Sequence, residues 1–239
     1  MCRMIAAVGR ASGEPLVAAL RTMALNENPA HDHELRSEGE NLLHDCGWGA
    51  AYVRDGRLVR HRSAAACFDD PAFESVAGVR SSLMLLHTRR TKHRDTIAET
   101  NSQPFLTRFR DEAWAFCHNG EIRDLSQLSH DGALAPEGTV DSELLFLHLL
   151  TRIDPEDPAP SIAGILGDIK DFTSLNCLLL RPRSLVAFAR RDPASTLPGY
   201  YTLWRGRGPG LDVVSSEIVD GIDVEWEAVP DGSALFLAP

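Results

Sequence analysis

The amino-acid sequence predicts an α+β fold in which two sheets lie face to face with helices outside. Three observations carry this. The first half holds apolar runs of strand length, Met4 to Val8, CGWGAAYV, SSLMLLH and EAWAFCH. Two segments with helical spacing follow, GTVDSELLFLHLLTRI and SIAGILGDIKD. The last third reads as strands again, TSLNCLLL, SLVAFAR, GYYTLWR, LDVVSS, IDVEWEAV and SALFLAP, separated by turn residues.

Taken in order, the first strand ends at Gly9, and Pro15 suits the first turn of a helix through Leu16, Ala19, Leu20 and Met23. The polar segment NENPAHDHELRSEGEN, broken by Pro29 and Gly39, is expected to be a long loop or a loop with one helical turn. CGWGAAYV and RLVRH flank Asp55-Gly56, a two-residue hairpin signal. PAFESVAG fits a short helix, and SSLMLLH is a buried strand whose end delivers His87, Thr88 and Arg89. TKHRDTIAETNSQPF has no periodicity and is expected to be a covering loop, after which EAWAFCH runs directly into Asn119-Gly120. A helix start is expected at Glu121 or Asp124. The long helix shows Leu144, Leu145, His148 and Leu149 near one face, with Thr139, Asp141 and Ser142 as candidate caps. The proline-rich break IDPEDPAP separates it from the second helix.

With 239 residues, 44% of them hydrophobic and 24% charged, the chain is expected to be a single domain, 1–239, that folds alone. A net charge of −10 argues against a nucleic-acid partner, which needs clustered basic residues. Five cysteines without close pairs do not form a disulfide framework and suit a reducing compartment. No stretch approaches the length of a membrane span, so a cytoplasmic location is expected.

The chemistry starts at Cys2. If the initiator methionine is removed, one residue carries both a thiol and a free amine, at the mouth of a strand. A thiol attacks only as thiolate, with a reference pKa of about 8.5, and an α-amine of reference pKa about 8 can take its proton directly or through a water. The blander reading is a small buried hydrophobe. His31, His33, His44 and Cys46 offer imidazole and thiolate ligands for a metal, although they lack the repeated spacing of a zinc finger or ribbon, and exposed loop histidines are the simpler reading.

MCR at the start, LLHTRR, NSQPF, FCHNGEI and TVDSELL occur in this order over the first two thirds of the chain. Together they resemble the glutaminase domain of class II glutamine amidotransferases, which belong to the N-terminal nucleophile hydrolases; HDCGWG, SLNCLLL and VVSSE fit as further strands. The resemblance implies a four-layer αββα sandwich of two mostly antiparallel sheets. It also implies that Cys2 attacks the side-chain carbonyl of glutamine, giving a thioester and ammonia before water frees glutamate. Arg89 matches the arginine that grips the α-carboxylate, a task suited to its planar fork of donors. Asn119 and Gly120 match the oxyanion hole, against the alternative of an Asn-Gly hairpin turn. Asp141 matches the partner of the α-ammonium group, against the alternative of a helix N-cap. His87, Thr88, Asn101 and Pro104 match positions that shape the pocket and its cover, and His93 falls in an unusual continuation, TKHRD, at the rim.

The resemblance is closest to small stand-alone members that act on γ-glutamyl compounds, with no cofactor. The expected activity is hydrolysis of a γ-glutamyl amide. The alternatives are a glutaminase subunit supplying ammonia to a separate synthase, a homodimer being a further possible assembly, and a retired binding or metal-binding module.

Overall fold

The computed structural model describes residues 2–38, 42–130, 132 and 134–239. Met1, whose loss would free the Cys2 amine, lies outside the described residues.

Twelve strands form two sheets among the described residues. In chain order they are β1 (Arg3–Ser12), β2 (Trp48–Arg54), β3 (Arg57–Ser63), β4 (Arg80–Thr88), β5 (Phe105–Phe109), β6 (Glu112–Asn119), β7 (Asn176–Arg181), β8 (Ser184–Ala189), β9 (Trp204–Gly208), β10 (Leu211–Ser215), β11 (Glu225–Ala228) and β12 (Ser233–Leu237). One sheet has the order β11-β9-β10-β1-β4-β2-β3 and the other β12-β8-β7-β6-β5, with every pairing antiparallel. The helices are α1 (Gly13–Ala24), α2 (Glu34–Ser37), α3 (Pro71–Glu74), α4 (Asp141–Leu150) and α5 (Pro158–Gly167). None of them is long and apolar enough to cross a membrane.

Three apolar layers hold the four-layer αββα sandwich together. Leu16, Leu20 and Met23 of α1 pack on Ile5, Ala7, Met84 and Leu86, the outer face of the seven-stranded sheet. Leu145, Phe146 and Leu149 of α4 and Ile162 of α5 pack on Trp114, Phe116, Leu179 and Phe188, the outer face of the other. Between the sheets lie Met4, Ala6, Val8, Leu83, Leu85, Ala115, Cys117, Leu178 and Leu180. The central strands are thus buried on both faces and read as continuous apolar runs rather than alternating ones.

The structure corrects several expectations. β5 is a strand the sequence pattern does not predict; it makes a hairpin with β6 through Arg110 and Asp111, both at positive φ. Gly199–Leu203, read as part of a strand, lies outside β9, because the Glu34 carboxylate accepts the Gly199 and Tyr200 N–H groups at 2.7 and 2.9 Å. The helix start expected at Glu121 or Asp124 is a short one: Ile122 makes a bridge to Phe172, and Asp124 caps a single 3-10 turn, Leu125–Gln127, in place of an α-helix. The N-cap of α4 is Val140, so Asp141 is the first helical residue and neither Thr139 nor Ser142 caps it. The core face of α4 is centred on Leu145, Phe146 and Leu149, with Leu144 only half-buried and His148 turned to the backbone of Ser129.

β1 is anchored from behind by a buried ion network. The Arg3 guanidinium, wholly buried, donates to Glu217 Oε1 at 2.8 Å and stacks 3.7 Å over the Tyr200 ring. Glu217 also accepts from Arg36 at 3.2 Å and Asn28 at 2.8 Å. Burial pushes its carboxyl up, but Arg3, His33, Arg36 and Asn28 outweigh burial and hold it well below the usual carboxylate range. Glu217→Gln leaves the Arg3 charge uncompensated and is expected to cost about 3–5 kcal/mol of unfolding free energy in urea titrations. A lowered folded pKa stabilises above the unfolded value, about 4.3 for glutamate, and that stabilisation is lost only as pH falls through the folded value. The gap between wild type and variant is therefore expected to stay level between about pH 5 and 8.

Candidate active site

Strand parity brings the chemistry to one end of the sandwich. In β1 the side chains facing the other sheet are Met4, Ala6 and Val8, which sets Cys2 on the same face. In β4, Leu83 and Leu85 face inward, and the same alternation carries to His87 and Arg89. In β6, Ala115 and Cys117 lead to Asn119, and in β7, Leu178 and Leu180 lead back to Asn176, which is paired with Asn119. The register Arg3↔Thr88, extended by one residue, puts Cys2 opposite Arg89.

The two sheets meet at Cys2. Its backbone N–H donates to Asn119 Oδ1 at 3.0 Å. An N–H needs an oxygen, so this bond fixes the carboxamide with Nδ2 on its other side. Nδ2 is buried and has no acceptor among the described residues. A buried N–H donor left unmatched is costly, and one beside a nucleophile is placed to meet an oxygen that gains charge. Gly120 follows at a point where only glycine fits: a Cβ there would stand 1.8 Å from Ser174 O and 2.6 Å from His118 Nε2. Asn119-Gly120 is therefore not a hairpin turn, and the chain continues to Ile122.

Cys2 differs from the other thiols in its surroundings. Burial pushes the thiols of Cys46, Cys117 and Cys177 up, and that of Cys67 up to about 11, so they stay protonated and inert. Cys2 sits at the end of its strand, next to an unmatched amide donor.

Arg89 is 6% exposed. Its guanidinium donates to Thr96 O at 3.2 Å and Thr96 Oγ1 at 2.8 Å, leaving further N–H groups of the fork. His93 O accepts the Thr96 hydroxyl at 2.7 Å, so His93 builds the turn that presents Thr96. Asp141 reaches the segment just after Gly120, its Oδ2 accepting the Ile122 N–H at 2.8 Å and its Oδ1 3.4 Å from Ser142 Oγ.

Several residues that the sequence reading did not single out hold these groups. His118 Nε2 donates to Ser174 O at 2.9 Å, which fixes its tautomer, and its Nδ1 accepts the Ser142 hydroxyl at 3.0 Å. Burial pushes its pKa down against the opposing pull of Asp141, so the ring stays neutral. Gln103 Oε1 accepts the His118 N–H at 2.6 Å. The sequence offered one signal for such roles: polar residues inside otherwise apolar strands. His87 is wholly buried with both ring nitrogens unpartnered among the described residues, and burial, followed by Arg89, lowers its pKa well below the ordinary value. Thr88 donates its hydroxyl to His44 O at 3.0 Å.

The loop histidines expected to be exposed are not: His33 and His44 are buried and His31 is half-buried. His33 Nδ1 accepts the Arg36 N–H at 3.3 Å and opens α2. Cys46 Sγ lies 3.1 Å from Asp45 Oδ1 and 3.2 Å from Arg94 Nη1. Among the described residues no three His, Cys, Asp or Glu side chains converge as a metal site.

The site is closed: Cys2 is 7% exposed and Asn119 fully buried. A surface hollow of about 850 Å³, lined by Glu14, Val17, Arg21, Glu74 and Arg80 on the outer side of the seven-stranded sheet, includes none of these groups. A thiol, an unmatched amide donor and a guanidinium are thus gathered at one buried end of the sandwich.

The family model for class-II glutamine amidotransferases matches residues 32–197. An uncharacterized protein of Methanocaldococcus jannaschii is 28% identical over 153 residues, which cover 61% of this chain and 42% of that protein. The chain thus matches about two fifths of the length of this curated relative. A predicted glutamine amidotransferase from Pseudomonas aeruginosa PA01 has a similar fold, with a TM-score of 0.60 at 16% identity over 99% of this chain and 97% of the other. An allosteric regulatory enzyme of purine biosynthesis gives a TM-score of 0.73 at 19% identity, over 99% of this chain and 47% of that one.

Proposed function

The chain belongs to the class-II glutamine amidotransferases, and from that premise we propose that it hydrolyses a γ-glutamyl amide through a thioester on Cys2. The Cys2 amine, freed by loss of Met1, takes the thiol proton. The sulfur attacks the δ-carbonyl carbon, and the oxygen that becomes negative is met by Asn119 Nδ2–H and the Gly120 N–H. Collapse expels the amine leaving group, which carries away the proton held by the Cys2 ammonium. A water, deprotonated by the same amine, then adds to the thioester, and its breakdown releases glutamate and restores the thiol. Arg89 grips the α-carboxylate and Asp141 the α-ammonium group.

One observation supports this reading above the others: the Cys2 N–H takes the Asn119 carbonyl oxygen and so turns the unmatched amide nitrogen outward from that bond. A donor prealigned in this way costs no reorganisation when charge develops.

The purified protein is expected to release glutamate from γ-glutamyl amides of amines and amino acids as well as from glutamine, measured by a glutamate dehydrogenase-coupled assay across a panel of such compounds. No glutamate from any member would sink the reading. Turnover of glutamine alone would point instead to a glutaminase that passes ammonia to a synthase, a reading favoured by the match to 47% of the longer purine-biosynthesis enzyme.

A further inference from the structure

Arg89 and Asp141, the two proposed anchors of the substrate's α-amino-acid end, lie on different segments and make no direct bond to each other. Arg89 is held by Thr96, the chain enters Asp141 through Thr139, and a single side chain joins Thr96 to Thr139. Arg89 donates twice to Thr96. Asp141 is the first residue of α4, two residues after Thr139. Between them stands Asn101, 3% exposed. Its Nδ2 donates to Thr96 O at 2.9 Å and to Thr139 Oγ1 at 3.3 Å, while its Oδ1 accepts the Thr139 N–H at 2.8 Å. Both amide hydrogens and the carbonyl are used, one side on the guanidinium's partner and the other on the lead-in to the carboxylate.

The surroundings hold this junction to one geometry. A Cβ on Gly138 would stand 2.2 Å from Asn101 Oδ1 and 2.9 Å from Thr100 O, so the two segments approach as closely as glycine permits. The Glu143 carboxylate accepts the Glu137 and Gly138 N–H groups at 2.9 and 2.7 Å. Arg62 on β3 donates to Glu137 Oε2 at 2.6 Å and to Thr100 O at 3.4 Å. The backbone on either side of Asn101 is thereby tied to rigid elements, and the amide sets the spacing across the gap.

We propose that Asn101 is a positioning residue that sets the distance between Arg89 and Asp141, so that the site selects substrates carrying a free α-ammonium and a free α-carboxylate on the same carbon. The proposal rests on the roles given above to Arg89 and Asp141. Asn101 touches neither reacting atom. It makes two separate ionic contacts act as one recognition unit, and a misplacement of either by about 1 Å is enough to lose much of the binding.

The test uses the full chain, with γ-glutamyl-p-nitroanilide and its glutaryl analogue, which lacks the α-ammonium group. Asn101→Ala is expected to raise KM for the γ-glutamyl probe about 10-fold with kcat within about 3-fold, the pattern of lost uniform binding. The wild-type preference for γ-glutamyl over glutaryl, on the order of 100-fold for a charge-assisted contact, should shrink to about 10-fold. Asn101→Asp keeps an oxygen for the Thr139 N–H but sets an oxygen against Thr96 O. It should raise KM while retaining the γ-glutamyl preference, because only the Arg89 side loosens. Calorimetric binding of glutamate against glutarate reads the same anchors without turnover and should follow the same order. Unchanged KM, preference and glutamate affinity in both variants would overturn the proposal, as would a fall confined to kcat or to the melting temperature, the mark of a merely structural residue. A wild-type protein that binds glutamate selectly over glutarate but cleaves no γ-glutamyl amide would remove the hydrolase reading and leave this inference standing.

Discussion

Cys2→Ala is expected to lose glutamate release by a factor on the order of 10⁴ or more, the scale on which removal of a covalent nucleophile is felt. The variant should fold normally, because the change removes one sulfur at a strand end whose backbone is held by the neighbouring strand β4 and by the Asn119 bond. Circular dichroism and the melting temperature check the fold, and the coupled assay checks activity. Intact mass of the wild-type protein adds a second arm: active molecules should lack Met1, since an acylated nitrogen cannot take a proton from the thiol. Substantial turnover by the alanine variant would mean that another group attacks, and the remaining four cysteines, all buried, offer no obvious substitute.

The next largest effect is expected at Asn119. Asn119→Asp keeps an oxygen for the Cys2 N–H and replaces the unmatched Nδ2 by a second oxygen, so it removes the donor with almost no change in shape. The proposed oxyanion would lose one hydrogen bond and meet a like charge, and kcat is expected to fall by about 10²–10³ or more, with a smaller change in KM. Asn119→Ala, which also removes the Cys2 anchor, should fall at least as far and unfold at lower temperature. Steady-state kinetics with the best γ-glutamyl substrate decide the matter. A variant with wild-type kcat would require the negative oxygen to be stabilised elsewhere.

How far these groups were legible in the sequence depended on the length scale of what places them. SSLMLLH and EAWAFCH announce buried strands by their unbroken apolar character, so their ends at Arg89 and Asn119 could be read as held positions. Phe105–Phe109 escaped because it follows a covering loop, carries Thr107 and Arg108 among its aromatics and is only partly buried, which leaves no continuous run to see. GYYTLWR has strand propensity throughout, but Glu34, more than 160 residues earlier, takes two of its N–H groups and turns it; propensity yielded to a tertiary bond. Asp141 looked like an N-cap because aspartate commonly is one, whereas its carboxylate reaches back to Ile122 and leaves the capping position to Val140. The histidines 31, 33 and 44 suggested ligands by proximity in the chain, yet each follows its own segment. Asn101 and His118 were visible only as letters in motifs; their work is done by bonds to Thr96, Thr139, Ser142 and Ser174 that no local pattern encodes.

The placement of β1 between β4 and β10 has a consequence for the order of events during synthesis. The ion pair behind Cys2 joins residues 214 positions apart, so the first strand cannot complete its sheet until nearly the whole chain has left the ribosome. Once it has, the nitrogen of Cys2 is enclosed and bonded to Asn119. On the proposed mechanism, loss of the leading methionine is therefore expected early, while the N-terminus still waits for its late partner.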